Sequence, residues 1–524
     1  MVKRDKTHTS PKPIIPGFYP DPSICRVEED YFLVTSSFEY FPGVPIFHSR
    51  DLLNWRQIGH CLTRPSQLPL TVDLEQVHHT LRDTRISRGI WAPTLRYHDG
   101  IFYMVTTNIT DGRHLLVTTT DPAGEWSEPM YIDLRPELDL SIDPSLMFDA
   151  DGTVYFTCTG QPQAIHQFEI DVATGEQLSP IHKLTEGFHG LWVEGPHLYH
   201  IGEWYYLLTA EGGTSYGHRV SLGRSLSPWG PFEAAPNNPI LSHIETEFPV
   251  QAVGHGDLVE AHDGSWWLVC LGVRPDRAWH THHIGRETFL TPIEWSEDSW
   301  FAPPNQHLSH SYPAFAEHRE HPHFDTPTLD RFTDDTLPLY WNTIRNLDPQ
   351  AYSLQERPGW LRLHGNTYTL DEKLHAPTFV GRRQQHIHCE FRCKLDFSPE
   401  NEGEMAGITV LMNERHHYDL FVQGVSSRCV TLRRHVDDMQ CDTATVPVSD
   451  GGLILIVRAS ATKYTFAVID ATGEKHLLGS GSVRFLSTEI SGGFVGVYFG
   501  LFAVANDSHR VTPADFTDVI YQPL

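Results

Sequence analysis

The stretch DPSICRVEEDYFLVTSSF, residues 21–38, decides the fold, because the chain repeats its texture four more times. A small or polar corner leads into an apolar pair, a polar turn follows, and an aromatic-rich run closes the unit. The pattern returns in APTLRYHDGIFYMVTTN (92–108), DPSLMFDADGTVYFTCTG (143–160), EGPHLYHIGEWYYLLTAEGG (194–213) and HGDLVEAHDGSWWLVCLG (255–272). The second run enters ten or eleven residues after the first residue, as from Asp21 to Tyr31 and from Asp143 to Val154. Each unit reads as a β-hairpin. Asp-Gly pairs at 99–100, 151–152 and 263–264 supply turn residues that tolerate positive φ. Five hairpins at intervals of roughly 50–70 residues, with no long helical period competing, predict a propeller of five four-stranded blades.

The repeat carries a geometric expectation. If its first residue takes the same place on every innermost strand, Asp21, Asp143, Glu194 and His255 converge on the axis. Trp91 then lies one residue before the matching Ala92. Three carboxyls in one pocket repel one another, which raises at least one pKa. Glycoside hydrolysis needs that division, with one acid kept protonated for the leaving oxygen and one carboxylate free to activate water.

Outward from the repeats the texture changes. They end near Trp295, and the Pro- and His-rich run 301–327 reads as a connector. From about Asp325 short alternating segments such as HIHCEFRCKLDF (386–397), AGITVLMNE (406–414) and LILIVRAS (453–460) are separated by Gly, Asp and Asn turns. They predict an antiparallel β-sandwich of the concanavalin-like jelly-roll type. The expected division is all-β throughout, with a propeller over residues 1–322 and a sandwich over 323–524.

Composition narrows the partners. Asp plus Glu is 66 against 39 Lys plus Arg, a net charge of -27. Nucleic acid and anionic membrane both call for basic patches, so neither is expected. No run of about 18 apolar residues suggests a membrane span. The opening MVKRDKTHTSPKP is not followed by an apolar segment of signal-peptide type. The eight scattered cysteines read as reduced thiols, so a cytoplasmic location is expected. Two histidine clusters invite a metal reading. His280, His282 and His283 in WHTHHIGRE stand beside Arg286 and read as part of the pocket mouth. His386 and His388 alternate with Cys389 and Cys393 across a strand, so the two pairs face opposite ways and cannot share an ion.

At these residues the sequence resembles glycoside hydrolase family 43, in its branch of two-domain β-xylosidases and α-L-arabinofuranosidases. The motifs are PGFYPDPSICR, TSSFEYFPGVPIFHSRDLLNW, GIWAPTLRY, SIDPSLMFDADG, VEGPHLY, AEGGTSYGH, VGHGDLVE and IGRETFLTPIEW, and LDRFTDDTLPLYWNTIR opens the second domain. The resemblance implies an inverting reaction with Asp21 as general base, Glu194 as general acid and Asp143 tuning Glu194. It implies that Arg286 fixes Asp143 or a sugar hydroxyl, and that Phe38 and Trp91 wall the terminal subsite. His255 would lie beneath the pocket, where in some relatives a histidine helps hold a hydrated calcium ion. No cofactor is required by this chemistry, and a structural or active-site calcium is the one ion the resemblance admits. It also implies that a sandwich loop closes the pocket with an aromatic ring, assigned here to Tyr498 in GGFVGVYFGLFA. Two departures stand out: the long stretch LTVDLEQVHHTLRDTRISRGIWAP (70–93), and Arg88 where a small residue is expected.

The leading functional reading is an exo-acting xylan 1,4-β-xylosidase acting on xylo-oligosaccharides. The alternative is an α-L-arabinofuranosidase, or an enzyme with both activities on arabino-oligosaccharides as well. A non-catalytic carbohydrate-binding propeller is disfavoured, because binding alone does not need three mutually repelling acids. Hydrolysis of fructosides is disfavoured by the absence of that group's nucleophile motif. Self-association of the chain is left open.

Overall fold

The computed structural model describes residues 11–71, 87–138, 140–161, 163–276, 278–309, 322–506 and 511–524. Among them are five small antiparallel sheets followed by two large ones. Blade one comprises Ser23–Val27, Asp30–Val34, Gly43–Ser49 and Arg56–Leu62. Blade two comprises Thr94–His98, Ile101–Asn108, Arg113–Thr119 and Met130–Ile132. Blade three starts with Ser141–Phe148, blade four with Glu194–Ile201 and blade five with Gln251–Glu260. The five first strands touch in a closed cycle, one to two, three, four, five and back to one. This ring is the expected propeller, except that the third and fourth blades each carry five strands rather than four.

Apolar side chains on both faces of each blade hold the ring together. Ile24 and Leu33 pack on Val259 and Val269 between blades one and five. Val34 and Ile46 meet Leu95 and Met104 between blades one and two, and comparable clusters fill the remaining gaps. Buried apolar area is worth roughly 25 cal/mol per Å², so these seams carry most of the stabilisation. The Asp-Gly turns differ among themselves. Only Asp99-Gly100, with φ of 47° and 83°, joins its strands as a two-residue loop. The pairs at 151–152 and 263–264 sit inside five-residue loops, between Phe148 and Val154 and between Glu260 and Trp266.

The axis is polar. Asp257 on blade five accepts from Ser23 Oγ of blade one at 2.6 Å, from Arg96 of blade two at 2.9 and 3.2 Å, and from the Tyr199 hydroxyl of blade four at 2.6 Å. Burial alone would raise its pKa, but the charge of Arg96 and these donors hold it well below the usual carboxylate range.

The second assembly is a sandwich of an eight-stranded and a six-stranded sheet, all antiparallel among the named strands. Its inner faces carry Phe391, Val457, Phe466, Leu420 and Leu501. The expected boundary at residue 322 falls at the helical turn Pro322–Asp325, and residues 310–321 of the expected connector lie outside the described residues.

The two assemblies share structure. Tyr40–Phe41 of the propeller pairs as a strand with Thr343–Ile344 of the second assembly. Arg383 Nε donates to the Phe18 carbonyl at 2.7 Å, and its guanidinium lies over the Tyr19 ring. Phe18, Phe38 and Tyr40 belong to the same apolar cluster as the sandwich core. That shared cluster lies beside the axial pocket.

Candidate active site

Strand irregularities place the key side chains. Asp21, Asp143 and His255 have φ of 55°, 53° and 49°, in the left-handed region that non-glycine residues rarely adopt. The first strands of blades three, four and five shift register at their entries, between Ile142 and Ser145, Glu194 and His197, and Gly254 and Asp257. Such bulges bend a strand and re-aim the residues within them. The expected equivalence of first residues is off by one in blade four. There Gly195, with φ of 55°, takes the place held by Asp143 and His255, and Glu194 corresponds to Ile142 and Gly254. Glu194 therefore enters the pocket from regular strand, one residue above the ring of left-handed positions.

Asp21, Asp143, Glu194, His255, Arg286, Phe38 and Trp91 all line one pocket of about 380 Å³ over the axis. Sequence reasoning brings these seven together, although one contact differs from expectation. Arg286 does not fix Asp143. It grips Asp21, with Nη1 2.6 Å from Oδ1 and Nη2 3.4 Å from Oδ2. A planar guanidinium fork matches a carboxylate best when both oxygens are reachable, and Asp21 offers both. Ser36 Oγ donates to Asp21 Oδ2 at 2.5 Å, and Arg286 Nη1 also donates to Thr214 Oγ1 at 3.1 Å.

Asp143 instead accepts the Gly195 N–H at 3.0 Å, the peptide next to Glu194. Burial pushes the Asp143 carboxyl up, with His255 opposing and Asp21 reinforcing the rise. Glu194 is pushed up to about 8, first by burial and then by repulsion from Asp143 and Asp21. One acid is thus arranged to keep its proton at neutral pH beside a carboxylate matched to a guanidinium.

Tyr498 does not line this pocket. It is fully buried, with its ring stacked on Tyr40 at 3.8 Å. The sandwich does supply an aromatic ring, but it is Phe494. The two residues sit on different elements. Tyr498 begins the strand Tyr498–Val504 and is held in the core by its pairing with Arg383, whereas Phe494 precedes that strand on a loop. The pair Gly492-Gly493, both with positive φ, marks that loop in the sequence. Phe494 stands edge-on to Trp91 at 5.4 Å and tilted against Phe38 at 6.4 Å.

Two further residues went unread in the sequence. Thr214 touches Arg286, and His218 Nε2 lies 3.8 Å from Glu194 Oε1. Burial, with His255 and Arg286 nearby, lowers His218 to about 3, so it stands beside the acid as a neutral ring. Both belong to the quoted motif AEGGTSYGH, whose Gly-rich composition was their only signal.

The histidine clusters serve docking and packing. His282 Nδ1 meets Glu489 of the sandwich at 2.8 Å, and buried His283 stands edge-on to Tyr464. Cys389 and Cys393 are buried in one strand, while His386 contacts the Tyr521 hydroxyl at 3.0 Å. Arg88 spans the two assemblies, donating to the Lys373 carbonyl at 2.6 Å near Glu39. Of the long stretch at 70–93, residues 72–86 lie outside the described residues.

The donors near His255 bear on the calcium expectation. Ca²⁺ takes six to eight oxygen ligands. His255 brings a nitrogen, and Asp143 Oδ2 is engaged by Gly195. Among the described residues the three-donor group is Asp470, Glu474 and His476, at a sandwich hairpin far along the chain. There Asp470 is already engaged by Thr472, Glu474 and His476. The side chains around His255 do not fit a directly ligated calcium ion, and the hydrated ion that the resemblance implies would meet His255 through its water shell.

The family model described as Glycosyl hydrolases family 43 matches residues 10–301. A second, the Beta xylosidase C-terminal Concanavalin A-like domain, matches 329–522. A non-reducing end alpha-L-arabinofuranosidase of Bacteroides ovatus is 40% identical over 96% of this chain and 93% of its own length. A xylosidase/arabinosidase of Butyrivibrio fibrisolvens is 38% identical over 96% of this chain and 98% of its own. The crystal structure of a xylan beta-1,4-xylosidase from Bacillus halodurans superposes with a TM-score of 0.88 at 33% identity, covering 98% of this chain and 100% of that one.

Proposed function

The chain belongs to glycosyl hydrolase family 43, the xylosidase and arabinofuranosidase hydrolases, and from that premise we propose an exo-acting, inverting enzyme that removes one terminal pentose from an oligosaccharide. The observation that carries this reading is the division of roles among the acids. Asp21 is paired with Arg286, while Glu194 is pushed up to about 8. In the proposed step a water between sugar and Asp21 gives up a proton to Asp21 as its oxygen bonds the anomeric carbon. The glycosidic C–O bond breaks as Glu194 passes its proton to the leaving oxygen. Asp143 holds the Gly195 peptide and keeps negative charge near Glu194, which favours the protonated acid. Afterwards Asp21 releases its proton and Glu194 regains one from solvent. These steps use side chains and water alone.

The exo reading rests on the ring of Phe38, Trp91 and Phe494, which stands around the pocket that holds the three acids. For the sugar itself, relatives at 38–40% identity with nearly full coverage both have arabinosidase activity in their names, one together with xylosidase. We therefore propose activity on α-L-arabinofuranosyl ends alongside the β-1,4-xylosyl ends read from the sequence.

The test sets 4-nitrophenyl α-L-arabinofuranoside and β-D-xyloside side by side, with proton NMR of the first product formed. Turnover of either with inverted configuration supports the reading. Retention, or no turnover of both, removes it. Dialysis against EDTA is expected to leave kcat unchanged, and a loss restored by Ca²⁺ would refute the metal-free chemistry.

A further inference from the structure

The aromatic wall is assembled across two domains, so something must fix the distance between them at the pocket. The segment carrying Phe494 begins with a single helical turn, Thr488–Ser491, and reverses through Gly492 and Gly493, with φ of 70° and 75°. Five residues before Phe494, the Glu489 carboxylate is seated in the propeller. Its Oε1 lies 2.8 Å from His282 Nδ1 and 3.0 Å from the Tyr216 hydroxyl, and its Oε2 accepts the His282 N–H at 3.1 Å. The Thr488 N–H donates to the His282 carbonyl at 3.3 Å. On the other side of the pocket the Phe494 N–H donates to Ser87 Oγ at 3.0 Å, and the Ser87 carbonyl accepts from the Trp91 indole N–H at 2.9 Å. Ser87 thus holds both rings of the edge-on pair.

Backbone contact completes the seat. A Cβ on Gly496 would lie 2.1 Å from the Ile284 carbonyl oxygen, so the sandwich loop approaches the strand entry of Arg286 as closely as a peptide can. The Phe494 carbonyl faces Arg286 Nη2 at 3.5 Å, and Arg286 is the residue that grips Asp21.

We propose that Glu489 and Ser87 are positioning residues that clamp the sandwich segment 488–496 onto the propeller and so set the Phe494 wall. The clamp gives the HHIGRE run of the propeller a purpose beyond Arg286. It also makes the selection of terminal sugars a property of the domain junction. Neither residue touches the pocket, so their loss should loosen the wall and leave the acids in place. The proposal rests on the reading of this pocket as the sugar site.

The test uses the full-length chain with Glu489→Ala, Glu489→Gln and Ser87→Ala. Amide hydrogen exchange of the peptide covering 488–497 is expected to quicken in Glu489→Ala and Ser87→Ala, since the Phe494 N–H loses its acceptor or its anchored loop. On the preferred aryl pentoside KM should rise about tenfold in Glu489→Ala with kcat within about threefold of wild type, the mark of lost ground-state binding. Glu489→Gln keeps an acceptor for the His282 peptide and should recover part of the KM. Unchanged exchange and KM in both alanine variants would overturn the clamp. So would equal losses of kcat in Glu489→Ala and Glu489→Gln with KM unchanged. Exchange reads the clamp independently of turnover, so a wild-type enzyme inert on both pentosides would sink the functional reading while quickened exchange still upheld the clamp.

Discussion

Glu194 and Asp21 are the same chemical group to within one methylene, and their surroundings give them opposite work. Asp21 has a guanidinium and a serine hydroxyl on its oxygens. Glu194 has burial and two acidic neighbours, and is pushed up to about 8 from its ordinary 4.5. Activity should therefore hold through neutral pH and fall along a basic limb near that value. A group raised on folding contributes stability that is full below its unfolded pKa and lost as pH rises through the folded one. Thermal stability of Glu194→Gln should accordingly lose part of the wild-type decline between pH 4.5 and about 8. Glu194→Ala should cost about 10²–10⁴ in kcat on glycosides with poor leaving groups and far less on aryl glycosides, while Asp21→Ala suppresses both. Equal, mild losses in the two variants would refute the assignment. The aromatic pair separates in the same way. Tyr498→Ala should lose about 3–5 kcal/mol in denaturant unfolding, the scale for deleting a large buried side chain, whereas Phe494→Ala should raise KM with little change in the midpoint.

At the scale of the element, the entries of the inner strands are where regular sheet gives way to function. Left-handed backbone at Asp21 and Asp143 costs of order 1–3 kcal/mol each and is held by the blade seams around it. Blade four meets the same demand with Gly195, whose missing Cβ would stand 3.0 Å from the His255 ring. Gly195→Ala should therefore lower stability by roughly 1–2 kcal/mol. It should also lower kcat, because the peptide that holds Asp143 would have to move. A variant with wild-type kcat and midpoint would show that the bulge does not position the acids. The DPS and EGPH motifs announce these entries in the sequence. Their offset by one residue is not announced, because a bulge is decided by how a strand pairs with its neighbour.

For the whole molecule, the propeller and sandwich are expected to stand or fall together. Phe18, Phe38 and Tyr40 pack into the sandwich core cluster, and Tyr40–Phe41 loses its strand partner without residues 343–344. A chain ending near residue 322 should be insoluble or nearly inactive despite keeping all three acids, since it would expose that apolar surface. Full activity of the shortened chain in a soluble form would sink the idea. Acid should also unfold the protein early. Burial holds His60, His114, His197, His218 and His283 to about 3, against an ordinary 6.5. Groups lowered on folding stabilise above their unfolded pKa and lose that contribution as pH falls. The unfolding midpoint should drop as pH falls below about 6.5, with more than one proton taken up on unfolding. A midpoint flat from pH 7 to 5 would contradict the burial of these rings.

The sequence by itself determined the all-β class, the five repeats, the change of texture near residue 325 and the gathering of Asp21, Asp143 and Glu194. Each depends on local residue patterns, which survive in one dimension. Only the tertiary structure decided that Arg286 serves Asp21, that Phe494 and not Tyr498 walls the pocket, and that His282 docks a glutamate of the second domain. Those three depend on contacts between residues some 200 or more apart in the chain, which no local pattern encodes. The one-residue offset of Glu194 belongs with them, because a shift of one residue along a strand sends a side chain to the opposite face and only the pairing of the strands fixes that register.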